Sequence, residues 1–132
     1  MPEGVQFCIG LENKPGVLAR LCSAIRRANV KIDALFVSDD EDYCWVNMVA
    51  SPADGARDML TAEGYNFFTE TVLVVRVSQP GELESIASRL AGAGVNINNV
   101  YGSCMDGSPS TLVLNVNDLS KAAEIIDTTT PV

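Results

Sequence analysis

The stretch Asn13-Lys14-Pro15-Gly16-Val17-Leu18 returns 65 positions later as Ser78-Gln79-Pro80-Gly81-Glu82-Leu83. In each copy a run of β-forming residues stops at Pro-Gly and an amphipathic run starts at once. Proline suits the first helical position because that N–H has no intrahelical partner, and glycine lets the backbone turn tightly or approach a ligand. The pattern predicts a strand, a short turn and a helix whose leading N–H groups are free, an end that attracts anions. The echo extends further. At the same offset Ser23 meets Ser88, Ala28 meets Ala93, Val30 meets Val95 and Ile32 meets Ile97. Beyond the next hairpin an offset of 66 aligns Ala56 with Ala122 and Met59-Leu60 with Ile125-Ile126, which assigns one extra residue to the Gly-rich 102–110 loop. So many anchors in register imply one structural unit written twice.

Hydrophobic periodicity fills in that unit. Val5, Phe7, Ile9 and Leu11 alternate as one face of a strand from Gly4 to Glu12, and Val17, Leu18, Leu21, Cys22, Ile25 and Ala28 recur at helical spacing. Asn29 is a stop signal. Val30 to Val37 reads as a strand with Val30, Ile32, Ala34 and Phe36 on one face and Lys31 and Asp33 on the other. Ser38 to Asp42 follows as an acidic turn, and Tyr43 to Ala50 as a third strand. Ser51 is placed to cap a helix whose first residue is Pro52, running to about Gly64. The β-type run from Tyr65 to Val77 exceeds one ordinary strand and is split near Glu70, giving units 1–70 and 71–132. Each unit reads β-α-β-β-α-β, an α+β ferredoxin-like plan with an antiparallel sheet and two helices on one face. In the second unit only Thr128 to Val132 remain after the last helix. The threonines either form a short fourth strand that Pro131 ends, or that strand is missing.

The strands are apolar on both faces, as in Val72 and Val74 against Leu73, Val75 and Val77. Helices cover one face only, so the other needs an apolar partner. A unit of about 65 residues is also marginal alone. The expectation is that the units pack together and that the chain forms a homodimer.

Charge narrows the function. Nine basic residues against seventeen acidic leave a net charge of -8, which disfavours a nucleic-acid partner. The opening residues lack a signal peptide's segments and no apolar run reaches the ~18 residues of a membrane span, so a cytoplasmic protein with no membrane partner is expected. The chain has no histidine, which removes the commonest general base and mixed Cys/His zinc sites. Cys8, Cys22, Cys44 and Cys104 are scattered without CxxC spacing and read as reduced, mostly packed thiols. Gly92-Ala93-Gly94 follows a helix, where glycine stops it, and is no phosphate loop. Asp39-Asp40-Glu41-Asp42 reads as a solvated hairpin tip ahead of a Ca²⁺ site, and Tyr43 and Trp45 as core or interface. No cofactor, no metal and no catalytic residue is expected.

Leu11-Glu12-Asn13-Lys14-Pro15-Gly16-Val17-Leu18, a helix, then Asn29-Val30-Lys31-Ile32 resembles the signature of an ACT domain. Val77-Ser78-Gln79-Pro80-Gly81-Glu82-Leu83 followed by Ala93-Gly94-Val95-Asn96-Ile97 is similar, so the resemblance covers essentially the whole chain as a tandem pair. It implies a regulatory module that binds an amino acid at an interface between domains. ACT domains occur on biosynthetic enzymes such as phosphoglycerate dehydrogenase and aspartokinase, and as stand-alone pairs. In the serine-binding type two asparagines contact the ligand, and Asn13 and Asn96 match those positions. Their counterparts in the opposite units are Ser78 and Lys31, so neither unit carries both.

For an α-amino acid, the carboxylate wants helix N–H groups and the ammonium wants oxygen acceptors. The first turn offers the N–H groups of Gly16, Val17 and Leu18, with Lys14 and Pro15 beside them and no acid in the opening helical turn. The second, with Ser78 and Gly81, carries Glu82 and Glu84, which already satisfy the helix dipole. The first turn is therefore expected to hold the better site. Lys31 with Asp33, and Asn96 with Asn98, are either pocket walls or solvated strand faces, and Asn13 either touches ligand or closes an Asx-turn on its own backbone. Lys14 has the same choice between ligand and solvent. Arg76 interrupts an apolar strand and is expected to need a carboxylate or ligand partner. The function expected is a non-catalytic regulator binding a free amino acid or related metabolite near the Pro-Gly turn, at a unit or subunit interface. The alternative is an interaction module that docks on a biosynthetic enzyme or regulator without binding a ligand.

Overall fold

The computed structural model describes residues 3–79, 81–103 and 110–129. Six strands and four helices alternate in the order β1 (Glu3–Glu12), α1 (Val17–Arg27), β2 (Lys31–Asp40), β3 (Tyr43–Ser51), α2 (Ala53–Ala62), β4 (Asn66–Val77), α3 (Glu82–Gly92), β5 (Ile97–Ser103), β6 (Ser110–Val116) and α4 (Leu119–Thr129). This is the doubled ferredoxin-like α+β plan. Contacts gather the chain into two compact units: Val5–Glu70, and Thr71 onward together with Gly4 and the residues before it.

In the Val5–Glu70 unit the strands lie in the order β2-β3-β1-β4, with β3 antiparallel to both β1 and β2. Alternate strand residues Phe7, Ile9, Leu11, Cys44, Val46, Met48 and Ala50 meet Leu21, Ala24 and Ile25 of α1 and Ala56, Met59 and Leu60 of α2 in one core. The helices form where that spacing of apolar residues gives one buried stripe. Each fully buried Leu or Phe contributes about 1.5–3 kcal/mol. The opposite sheet face is not bare either: Gln6, Cys8, Ala34 and Val49 are buried there.

The second unit repeats the plan with the order β4-β6-β5, and its core joins Leu73, Val75, Leu112 and Leu114 to Ile86, Leu90, Ala122, Ala123 and Ile126. The repeat is obeyed in backbone detail. Gly16 and Gly81 share the left-handed conformation, φ 88 and ψ -13 against φ 88 and ψ -7. Asn29 and Gly94, also 65 apart, both have positive φ, 57 and 77, where α1 and α3 end. Register shifts fall between Ile32 and Ala34 and between Ile97 and Asn99, so Asp33 and Asn98 are bulged residues at equivalent places.

Several sequence expectations change. The run expected to be two strands split near Glu70 is one strand, β4, of 12 residues. It stands between β1 and β6, and its Leu73–Val77 half pairs with β6. Among the described residues the second unit has no fourth strand at its end. Thr128 and Thr129 belong to the last turn of α4, and Thr130 to Val132 lie outside the described residues. Instead, the start of β1 lies beside β4, and a Cβ on Gly4 would stand 2.7 Å from Val74 Cγ2. The bulge at Asp33 undoes the expected alternation of β2. Val30 and Ile32 join the core, whereas Ala34 and Phe36 pair with Val49 and Asn47 on the opposite face. Asp39 and Asp40 belong to β2, which leaves Glu41-Asp42 as the turn. Ser51 ends β3 and does not cap α2; Pro52 occupies the N-cap. Cys22 is exposed, not packed, while Cys8 and Cys44 are buried; Cys104 lies outside the described residues, as does the extra residue assigned to the 102–110 loop. No helix among the described residues is long and apolar enough to cross a membrane.

Candidate functional site

The first Pro-Gly turn is built by three neighbouring pieces: the end of β1, the start of α1 and the β2–β3 hairpin. Asn13 fastens them. Its backbone N–H donates to the Asp42 carbonyl at 2.8 Å and its Nδ2 donates to the Glu41 carbonyl at 3.0 Å. The side chain thus bridges to the hairpin and does not close an Asx-turn. Glu41 holds a positive φ of 55 at that tip, which turns its carbonyl toward Asn13. Gly16 then starts α1 with no side-chain cap and no acid in the first turn. Val17 packs on the core from a half-buried position, while Pro15 and Leu18 are exposed.

Lys14 is solvated and paired, with Nζ 2.8 Å from Glu12 Oε2. That hydrogen bond and the ammonium charge hold the Glu12 carboxyl below its ordinary pKa. In Lys14→Ala the Glu12 pKa, followed by NMR titration, is therefore expected to rise toward the ordinary carboxylate value. An unmoved titration would mean that the pair does not persist in solution.

The second turn differs where sequence comparison said it should. Glu82 Oε1 accepts from the backbone N–H groups of Gln79 at 3.0 Å and Ser78 at 3.3 Å. The chain's own carboxylate occupies this turn, beside the left-handed Gly81; Pro80 lies outside the described residues.

The other candidates sit at the far end of the sheet. Glu12 lies opposite Tyr43 on β3, whereas Lys31 lies opposite Ser51, eight residues further along. At about 3.4 Å per residue that is roughly 27 Å. Within one unit, then, the structure brings Lys31 and Asp33 together but keeps both from Asn13 and Lys14. Lys31 Nζ is 3.7 Å from Asp33 Oδ1, and the Ser51 hydroxyl donates to Asp33 Oδ2. The second unit repeats this corner with asparagines. The Asn96 N–H donates to Asn117 Oδ1 at 2.9 Å, and its Nδ2 donates to Asn98 Oδ1 at 3.1 Å. Ser51 and Asn117 correspond at the offset of 66 that holds past the hairpin. Sequence reasoning missed both, although that offset would have paired them. Arg76 is exposed opposite Thr111 at one end of the β4–β6 ladder, so solvent relieves the partner requirement expected for it.

Two further features stand apart from the turns. An open cleft of about 470 Å³ beside the end of α1 is lined by Cys22, Ile25, Arg26, Asn29, Lys31 and Ile32 among others. Arg26, in the last turn of α1, is thereby placed near Lys31. On the sheet face away from the helices, Trp45 lies over Gly10, whose added Cβ would be 3.3 Å from the indole, and reaches Phe68 edge-on at 5.8 Å. Cys8 on that face is buried, which pushes its thiol pKa up, and its Sγ lies 3.7 Å from Glu70 Oε1. Among the described residues no group of three or more His, Cys, Asp or Glu side chains could hold a metal ion.

No curated protein matches the chain by sequence. Among solved structures it is similar to a Bacteroides thetaiotaomicron protein, at 22% identity and a TM-score of 0.87 over 96% of this chain and 88% of that one. It is also similar to the regulatory subunit of aspartate kinase from Thermus thermophilus in its ligand-free form, at 14% identity and a TM-score of 0.64 over 98% and 93%. The corresponding subunit from Thermus flavus gives 15% identity and 0.59 over 97% and 92%. At these identities the likeness is one of fold. The sequence model of the ACT domain pair matches residues 4–130, nearly the full length, and by that match the chain belongs to the ACT domain pair family.

Proposed function

We propose that this chain is a regulatory protein that binds a small zwitterion, an amino acid or close relative, at its first Pro-Gly turn. Membership of the ACT domain pair family supports the regulatory small-molecule role. The observation that carries the location is the contrast between two turns of matching backbone geometry. Neither helix has a side-chain cap, but in the second turn the Glu82 carboxylate accepts from the N–H groups of Ser78 and Gln79 and α3 opens with two acids, whereas α1 has no acid in its opening turn. A ligand carboxylate at α1 gains about 0.3–1 kcal/mol from the helix dipole alone, and more where partly buried. The hairpin fastened to the same turn bears Asp39, Asp40, Glu41 and Asp42, acceptors for the ammonium of that ligand. A simple anion gains nothing from those acids, so both charges are needed.

Regulation follows if the bound form favours one arrangement of the protein over another, and a biosynthetic enzyme is the class of target that the aspartate kinase neighbours suggest. The test is thermal unfolding of the full chain with each common amino acid. One of them is expected to raise the midpoint in a concentration-dependent way, reaching about 2.7 kcal/mol at a hundred times its Kd. Lys14→Glu is expected to weaken that ligand by up to about fivefold while leaving the ligand-free midpoint nearly unchanged, because an exposed pair contributes little. If no amino acid or related metabolite stabilises the protein, the docking module becomes the better reading.

A further inference from the structure

We infer that the cleft beside the end of α1 is a second ligand site, one for a small apolar monocarboxylate that carries no ammonium group. The cleft belongs to the Val5–Glu70 unit, and its volume of about 470 Å³ falls in the range of roughly 300–1,000 Å³ usual for small-molecule sites. It stands at the Lys31 end of β2, the opposite end of the strand ladder from the first Pro-Gly turn. A ligand here is therefore separate from one at that turn.

The lining combines apolar and charged side chains. Ile25 and Val30 are buried, and Ile32 is half-buried, so its side chain still has apolar surface for a ligand to cover. Arg26 and Lys31 are both exposed, but their charges do not count equally. Lys31 Nζ lies 3.7 Å from Asp33 Oδ1, so a carboxylate already balances it. Arg26 takes part in none of the ion pairs among the described residues. Its neighbour Arg27, by contrast, reaches Ser23 Oγ at 3.3 Å and Glu63 Oε1 at 3.5 Å. Nor does the helix end engage the Arg26 guanidinium. The carbonyls of Ala24, Ile25 and Arg26 already accept from the N–H groups of Ala28, Val30 and Asn29. Two cations and one carboxylate leave a single uncompensated positive charge, which suits a monoanion. The planar guanidinium takes a carboxylate through two parallel N–H bonds. An ammonium on the same ligand would stand beside two cations, and Asp33 is already engaged by Lys31 and the Ser51 hydroxyl. That like-charge cost selects against free amino acids.

The test is a two-dimensional amide NMR titration of the whole chain with isocaproate, which is leucine without its ammonium. The backbone amides of Asn29, Lys31 and Ile32 are expected to shift with a Kd of about 1 mM, as befits so small a ligand, while Gly16 stays in place. Arg26→Gln should raise that Kd by about fivefold or more. Cys22→Glu should do the same, because a carboxylate one helical turn ahead of Arg26 supplies the guanidinium with a partner of its own. Arg27→Gln should leave the Kd within about twofold. L-leucine, and the uncharged isocaproamide, should each bind the cleft at least about tenfold more weakly than isocaproate. Cleft amides that do not move, or shifts confined to Gly16 and its neighbours, overturn the inference. So does equal binding of the amide or of L-leucine, or an equal loss in Arg26→Gln and Arg27→Gln. Turn and cleft amides report separately, so failure of an amino acid at the first turn is told apart from failure here.

Discussion

Phe7→Ala is expected to lower the unfolding free energy by about 3–5 kcal/mol, the range for removing a fully buried aromatic ring. Phe7 has no exposed surface and stands at the centre of β1, where it joins strand residues to both helices of the Val5–Glu70 core. Its ring centroid is 6.1 Å from that of Phe67, and the Arg57 guanidinium carbon lies 5.8 Å from it, within reach of a cation–π contact. Alanine removes all three contributions and leaves a void too well enclosed to collapse. Urea unfolding measures the loss directly. Phe68, one residue from Phe67 but 50% exposed on the other face, provides the control, and its alanine variant should cost much less. A loss below about 1 kcal/mol in Phe7→Ala would mean the ring is not in the core.

Gly4→Val is the next largest effect, about 1–3 kcal/mol from overpacking. The added Cβ would approach Val74 Cγ2 to 2.7 Å, and valine is stiff at χ1, so relief requires backbone movement. The position matters because the start of β1 stands beside β4, next to the second unit's strands. Unfolding should therefore report the change even though Gly4 precedes the first core residue. Full stability in this variant would show that β1 is frayed at its start in solution.

The electrostatics of the first turn limit what the Pro-Gly pattern alone implies. Lys14 and the absence of an opening acid pointed to a place for the carboxylate of an amino acid, without showing where its ammonium would go. Folding ties Lys14 to Glu12 and fastens four acidic positions of the hairpin beside the turn through Asn13. The field there is mixed, which is the ground for proposing a zwitterion over a simple anion. The second turn shows the converse. Glu82 was legible as an unfavourable neighbour for a carboxylate, yet only the folded backbone reveals that it reaches back to two specific N–H groups.

Local chemistry determined much of this protein in one dimension. The Pro-Gly starts, the left-handed glycines, the stop at Asn29 and its partner Gly94, and the apolar stripes of four helices are each decided within a few residues. Short-range sterics and periodicity act there, and the doubling of the pattern doubled the signal. Tertiary structure alone decided which distant groups meet. It set the bulges at Asp33 and Asn98, the single long β4, the bond from Asn13 to the hairpin carbonyl and the start of β1 beside β4. Those outcomes depend on strand pairing between residues far apart in the chain, where register and edge are settled by the whole core and leave no mark on local spacing.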